Sequence, residues 1–145
     1  MKISTKGRYA LRMLLDLAEH EGMGFISLKD IADRQGISKK YLEQIVPLFN
    51  RSDVLLANRG FQGGYKLAKE PSQYTLGHIL ELAEGSLSPV SCLDIQPNPC
   101  ERCGDCVTLP VWEGLNRVIM EYLNGITLQD LLDEQREHGN GDYGI

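Results

Sequence analysis

Apolar residues recur at helical spacing near the start of the chain, and this spacing predicts a helix from Ser4 to about His20. Its apolar stripe is formed by Ala10, Met13, Leu14, Leu17 and Ala18. Leu11 and Leu15 widen the stripe. We therefore expect this helix to be buried on more than one side.

Two short helices joined by a tight turn are predicted to follow. Ser27-Leu-Lys-Asp30 is a capping box that opens the first of them, and Gly36 ends it. Ser38 caps the second, whose apolar positions are Tyr41, Leu42, Ile45 and Val46. Pro47 predicts that this helix kinks, or ends early and restarts. The arrangement is typical of a helix-turn-helix, with an ordinary helical hairpin as the alternative.

A β-hairpin is predicted directly after these helices. Residues 54–57 and 65–68 are short strand candidates, and the connection between them is rich in glycine and carries Arg59. A helix-turn-helix followed by such a hairpin is a winged helix. In that fold a helix enters the major groove of DNA, and Arg59 on the wing would reach a narrow minor groove.

The second half of the chain is predicted to be helical at both ends of an irregular segment. Thr75 caps a helix that stops at Gly85. A longer helix runs from about Pro110 to Asn124, with a coiled-coil-like seam of Trp112, Leu115, Ile119 and Tyr122. Packing on its own domain and dimerisation fit this helix equally well. A last short helix opens at Thr127, and the polar residues 135–145 are predicted to be disordered.

Charge is distributed unevenly along the chain. Residues 1–70 carry twelve Lys and Arg against eight Asp and Glu, a balance of +4. Residues 71–145 carry three against twelve, a balance of −9, so the net charge of −5 conceals a basic front half. A basic front half favours a polyanionic partner, although an unevenly charged solvated surface is the alternative.

The chain has no feature of a membrane or secreted protein. No apolar run approaches the roughly 20 residues needed to span a bilayer. The basic N-terminus lacks an apolar stretch with a cleavage site, so we expect a cytoplasmic protein that has no membrane partner. The histidines at positions 20, 78 and 138 are scattered and no nucleophile is paired with a base, so no enzyme activity is expected.

All the cysteines lie in one segment, residues 92–106. They are Cys92, Cys100, Cys103 and Cys106. Three of them are separated by two residues each, a spacing that would let their sulfurs converge on one centre. In a reducing compartment such thiols are ligands or redox groups rather than disulfides. An iron–sulfur cluster, zinc and metal-free redox thiols all remain open.

Several short motifs, taken together, resemble one bacterial family. They are residues 1–10, Tyr41-Leu-Glu-Gln44, Arg59-Gly, Gly63-Gly-Tyr65 and Ile126-Thr-Leu. The resemblance is to the IscR/NsrR/CymR-type (Rrf-type) winged-helix transcriptional regulators and extends to about residue 133. It implies a mainly α fold with a small β-hairpin wing, and a homodimer that binds an operator in double-stranded DNA.

The resemblance also implies a division of the chain. Residues 1–70 would form the winged helix-turn-helix and residues 71–91 a connecting helix. The segment 92–106 would be a cysteine sensor loop, and 107–134 would form the dimerisation helix and the C-terminal helix. The tail at 135–145 would be disordered.

Residues can be assigned DNA-binding roles from the same resemblance. Tyr41, Glu43 and Gln44 match DNA-facing positions of the recognition helix, and Arg59 matches the wing arginine. Chemically, Glu accepts from cytosine and Gln bonds an adenine edge. Phosphate contacts at the start of the recognition helix are expected from Ser38, Lys39 and Lys40.

The cysteine loop departs from the family pattern. Leu109 occupies the position of a ligating histidine, and Arg8 replaces an acidic ligand that the partner subunit provides in NsrR-like members. A four-thiolate site within one subunit, holding a cluster of two or four irons, is therefore the simplest interpretation. Zinc is the alternative.

The leading hypothesis is a homodimeric DNA-binding regulator that senses cluster status, redox state or nitric oxide through this loop. A regulator of the same fold controlled by thiol oxidation, zinc or a partner protein is the alternative. A small iron–sulfur electron-transfer protein is the alternative from another class.

Overall fold

The computed structural model describes residues 2–50 and 52–140. In chain order the helices and strands are α1 (Thr5–Glu19), α2 (Leu28–Gln35), α3 (Lys39–Asn50), β1 (Leu55–Asn58), β2 (Gly64–Leu67), α4 (Leu76–Glu84), α5 (Leu109–Asn124) and α6 (Leu128–Asn140). Short 3₁₀ helices occur at Pro71–Gln73 and Ser91–Leu93. The predicted class, mainly α with one small β-hairpin, is confirmed.

Helix α1 is the centre of the hydrophobic core. Its widened apolar stripe leaves Ala10, Met13 and Leu14 with no exposed surface. Four other helices, α2, α3, α4 and α6, contact it. The prediction that this helix is buried on more than one side is therefore confirmed.

The N-terminus of α1 is capped by a residue of another helix. The Ser4 hydroxyl donates to Glu84 Oε1 at 2.7 Å, and the backbone amides of Ser4 and Gly7 donate to the same oxygen at 3.0 Å. A carboxylate at a helix N-terminus also complements the positive end of the helix dipole. A Cβ at Gly7 would lie 2.5 Å from that oxygen, so a larger residue there would displace the Glu84 carboxylate from the cap.

A buried carboxylate fixes α2 against α1. Asp16 is 1% exposed, and it accepts hydrogen bonds from Arg34 Nε at 3.0 Å and Arg34 Nη2 at 2.7 Å. Gln35 Nε2 donates to it at 3.0 Å. The hydrogen bond to Asp16 raises the pKa of Arg34, because it stabilises the charged guanidinium. The pair is bidentate, which fixes orientation as well as distance.

Side-chain caps start α2 and α3 at the predicted residues, with one of the two hydrogen bonds of the predicted Ser27–Asp30 capping box present. The Ser27 hydroxyl accepts from the Asp30 amide, and the Ser38 hydroxyl accepts from the Tyr41 amide, each at 3.1 Å. Gly36 adopts a left-handed conformation with φ of 64° between the two helices.

Helix α3 continues through Pro47, so the predicted alternative of an early end and restart was wrong, while a kink at Pro47 stays a prediction. Pro47 faces solvent and costs α3 one backbone hydrogen bond. Burial of the apolar residues before and after Pro47 outweighs this loss. Val46 and Phe49 belong to that face and are at most 2% exposed.

The hairpin is antiparallel, with Leu55 opposite Leu67 and Asn58 opposite Gly64. Each strand lies one residue away from its predicted span. Ile26, from the connection between α1 and α2, exchanges two backbone hydrogen bonds with Tyr65, both 2.8 Å long. The hairpin is therefore tied to the helical core at β2.

Tyr74 ties the base of the hairpin to the second half of the chain. Its hydroxyl donates to the Val54 carbonyl at 2.9 Å and accepts from the Lys69 amide at 2.8 Å. Burial raises the pKa of Tyr74. Its own carbonyl accepts from the Leu128 amide at 3.0 Å, which brings the start of α6 to the same place.

The C-terminal helix is longer than predicted. Thr127 and Asp130 form a reciprocal capping box at 2.9 and 3.1 Å, as expected. Leu128 and Leu132 are buried, and α6 contacts α1. Disorder was predicted from residue 135, and this prediction was wrong for residues 135–140, which continue α6. The packed first turns of α6 nucleate these further helical turns. Residues 141–145 lie outside the described residues.

Across residues 2–50 and 52–140, we found no helix with the length and apolar character that crossing a bilayer requires.

Replacing Asp16 by Asn should lower the free energy of unfolding by about 1–3 kcal/mol, because an amide NH₂ would face the donors of Arg34 and Gln35. Denaturant titration of the variant against wild type measures the change. Asp33→Asn, an exposed acid of α2, is the matched control and should lie within about 0.5 kcal/mol of wild type. An equal loss in both variants would contradict a special role for the buried carboxylate.

Candidate nucleic-acid interface and cysteine loop

The predicted DNA-reading residues share the exposed side of α3. Leu42, Ile45 and Phe49 are buried and hold the opposite side of α3 on the core. The exposed positions at its start are Ser38, Lys39, Lys40, Glu43 and Gln44, with Tyr41 half-buried beside them. The structure thus brings these six predicted residues together at one end of α3. The Ser38 hydroxyl oxygen is occupied by its cap, but its hydrogen remains available to donate.

Glu43 and Lys39 form a loose pair on this surface. Their charged atoms are 3.9 Å apart across one helical turn, and both side chains are more than half exposed. An exposed pair of this kind is worth little and is readily broken. Glu43 is therefore free to engage another donor.

An aromatic contact links the recognition helix to α1. The rings of Tyr9 and Tyr41 meet edge to face with centroids 5.3 Å apart. The Arg12 guanidinium lies 5.4 Å from the Tyr9 ring centre and donates to the side chain and the carbonyl of Gln35. Tyr9 was not predicted as part of this surface, and Arg12 was expected only among the cations at the start of α1 that could contact phosphate. An aromatic residue between two arginines on a helix was the available signal.

The wing and the starts of α2 and α3 enclose a basic cleft. The cleft measures about 340 Å³, and its wall includes Lys29, Lys39 and Arg59. The structure thus brings the predicted wing arginine to the same cleft as a predicted phosphate contact of α3. Lys29 was not predicted. Its only signal was a position in the first turn of a helix.

The cysteine loop is anchored at its start. Asp94 accepts hydrogen bonds from the hydroxyls of Ser86 and Ser88, and these bonds lower the pKa of Asp94. They close the chain around the 3₁₀ helix Ser91–Leu93, which contains the half-exposed Cys92. One wall of a 210 Å³ cavity beside this turn is formed by α5.

The other cysteines lie in consecutive turns. Cys100 and Cys103 are exposed, and the Cys103 amide donates to the Cys100 carbonyl at 3.1 Å. Cys106 is half-exposed, with its sulfur 3.4 Å from the Thr108 hydroxyl. That hydrogen bond is the main cause of a lowered pKa at Cys106, because it stabilises the thiolate.

All four cysteines of the loop are free thiols. Asp16, Glu19 and His20 are the group of three ligand atoms that lies within 4.8 Å in the described part of the chain, and Asp16 is already bonded to Arg34. Among the described residues, no three of the four sulfurs lie within 4.8 Å of one another, the span of a single bound ion, and their convergence on a larger cluster stays a prediction. The donor set still fits a thiolate-ligated centre, because four unoxidised cysteines lie in one loop without long helices or strands.

Helix α5 presents an uncovered apolar stripe. It has no buried residue, although it contacts α4. Large side chains that are at least 36% exposed occur at Val111, Trp112, Leu115, Val118 and Tyr122. Val111, Leu115, Val118 and Tyr122 follow helical spacing along one side of α5. Contiguous apolar surface of this kind is typical of an interaction site.

Residues 3–134 match the model of the Rrf2 family, described as an iron-dependent transcriptional regulator. Protein rrf2 of Nitratidesulfovibrio vulgaris is 37% identical over 132 residues, which cover 91% of this chain and 87% of that protein.

Two solved structures are similar along nearly their whole length. IscR of T. potens is 39% identical with a TM-score of 0.77, covering 98% of this chain and 93% of its own. CymR, the global cysteine regulator of B. subtilis, is 37% identical with a TM-score of 0.74, covering 92% and 98%. These similarities confirm the winged-helix fold and a regulator rather than an enzyme, and they set aside the electron-transfer alternative.

Proposed function

Because the chain belongs to the Rrf2 family of transcriptional regulators, we propose that it binds operator DNA as a homodimer and responds to a signal received by residues 92–106. The observation that carries this proposal is the shared surface of α3 and the wing. Exposed polar residues of α3 and the basic cleft beside the wing lie on that surface.

Helix α3 supplies the contacts that distinguish sequence. Its exposed start enters the major groove, where Gln44 bonds an adenine edge and Glu43 accepts from cytosine. Glu43 also repels phosphate, so it penalises wrong sequences more than it adds affinity. Tyr41 is held in place by its edge-to-face contact with Tyr9.

The cations and caps around α3 position the protein on the DNA backbone. Ser38, Lys39 and Lys40 contact phosphates at the helix N-terminus, where the helix dipole favours an anion. Lys29 and Lys39 line the cleft with Arg59, so a phosphate in the cleft would meet three positive charges. Arg59 extends into the adjacent minor groove.

The apolar stripe of α5 forms the dimer interface. Pairing two copies of α5 removes Leu115, Val118 and Tyr122 from water, and this burial is the main favourable term in association. A two-fold dimer carries two DNA-reading surfaces and therefore recognises a two-fold symmetric operator.

The cysteine loop is the sensor. Cys92, Cys100, Cys103 and Cys106 would hold an iron–sulfur cluster of two or four irons, with zinc as the alternative. When bound, such a cluster supplies a redox couple tuned by its surroundings. The loop connects α4 to α5, so drawing the four thiols together changes the path of the chain between the DNA-reading domain and the dimer helix.

A second candidate is a regulator whose signal is thiol oxidation. It is favoured by the lowered pKa of Cys106 and by the exposure of Cys100 and Cys103. Thiolates in accessible positions are the cysteines that oxidise first. In this version the same loop responds without a metal.

Replacing Arg59 by Ala should weaken binding to a duplex recovered by selection from a random library. The loss of one cation should also reduce the slope of log affinity against log salt by about 1. Fluorescence anisotropy at several salt concentrations measures both. Arg136→Ala on α6 is the charge control and should change neither. Wild-type affinity in an Arg59→Ala, Glu43→Ala double variant would contradict this DNA-binding surface.

Replacing Leu115 or Val118 by Glu should convert a dimer into monomers, because each carboxylate would be desolvated at the α5 interface. Sedimentation velocity measures the mass of the species. Met23→Glu is the matched control, since Met23 is 68% exposed and lies outside α5. A wild-type protein that remains monomeric on its DNA would contradict the dimer.

Protein purified without oxygen should show visible absorption bands, with iron and sulfide present in the same sample. Replacing each of the four cysteines by Ala should remove the bands, while Ser91→Ala in the same loop should keep them. A colourless protein that contains zinc would make the loop structural. A protein that contains neither iron nor zinc after reconstitution would leave thiol oxidation as the remaining signal for the loop. Equal DNA binding by loaded and empty protein would contradict a cluster-operated switch.

A further inference from the structure

The wing carries an aromatic ring that almost nothing covers. Phe61 is 95% exposed, more than any other large hydrophobic side chain of the described residues. It lies two positions after Arg59, between the strands of the hairpin. The DNA-binding surface proposed above gives a role to Arg59 but none to this apolar ring beside it.

The tip of the wing is built to project this ring. The Gly63 amide donates to the Gly60 carbonyl at 2.9 Å, which makes Phe61 and Gln62 the central residues of a β-turn. Gln62 has a positive φ of 63°, a conformation that glycine adopts at far lower cost. A Cβ on Gly63 would collide with the Asn58 carbonyl, so the turn is closed tightly beneath the ring.

The surroundings of the ring indicate what covers it. Arg59 is on the same tip, and the adjoining cleft adds Lys29 and Lys39. Residues 1–70 carry a charge of +4. A cationic surface that carries one exposed apolar ring is matched by a polyanion that also presents flat apolar faces. The minor groove of DNA offers both, in its phosphates and in the faces of its bases.

We propose that Phe61 is a minor-groove wedge. Resting on the DNA-binding function proposed above, its ring enters beside Arg59 and inserts partly at one base step. Unstacking is least costly at flexible pyrimidine–purine steps, so the wing selects such a step without forming a hydrogen bond to it. The operator preference opposite the wing then comes from DNA deformability, while the preference under α3 comes from base edges.

The test is parallel selection from a random duplex library with purified full-length wild type, Phe61→Ala and Gln62→Asn. Asn tolerates a positive φ, so Gln62→Asn is the matched control at the same turn. Phe61→Ala should keep the preferences under α3 and lose the pyrimidine–purine preference opposite the wing. On the wild-type duplex its affinity should fall roughly five- to hundredfold, as for loss of an aromatic stacking contact.

Two further readouts separate a wedge from an electrostatic or structural role. Phe61→Ala should leave the salt slope unchanged because no charge is lost, whereas Arg59→Ala should reduce it by about 1. A 2-aminopurine placed at the selected step should brighten when wild type or Phe61→Tyr binds, and stay dim with Phe61→Ala. All variants should melt at the wild-type temperature.

The outcomes distinguish this proposal from the one on which it rests. If wild type enriches no sequence, DNA binding fails and the wedge fails with it. If wild type enriches a motif and Phe61→Ala binds it with equal affinity and equal brightening, the wedge alone is overturned. A change in the sedimentation of free Phe61→Ala would assign the ring to contact with a second copy, which also overturns it.

Discussion

The buried carboxylate of Asp16 holds the DNA-reading part of the molecule in register. A charge removed from water must be matched by donors, and here Arg34 and Gln35 at the end of α2 provide them. The last turn of α2 is thereby fixed on α1. Because Gly36 allows only a short turn before Ser38, the direction in which α3 starts follows from the same contact.

The two halves of the chain meet at α4. Its last residue, Glu84, caps the first turn of α1 from outside that helix. The chain then turns at Gly85 and enters the segment in which Ser86 and Asp94 anchor the cysteine loop. The start of α1 and the start of the loop are therefore positioned by neighbouring residues. Within the loop the backbone hydrogen bonds are local, such as the one from the Cys103 amide to the Cys100 carbonyl.

Errors in the sequence predictions arose where distant contacts decide local structure. Pro47 disfavours a continuous helix, yet burial of Val46 and Phe49 on the core maintains it. The polar composition after Gln135 favours disorder, yet the buried start of α6 extends the helix to Asn140. In both cases apolar packing elsewhere on the same helix outweighs the local preference.

Features that depend on a few neighbouring residues could be predicted from the sequence. The caps at Ser27 and Ser38 join a side chain to a backbone amide three residues away, so the local motif suffices to predict them. The clustering of four cysteines is likewise visible in the chain. The Tyr9–Tyr41 contact and the cap from Glu84 could not be predicted from the sequence. These depend on where whole helices and loops come to lie, which follows from burial of the common core rather than from spacing along the chain.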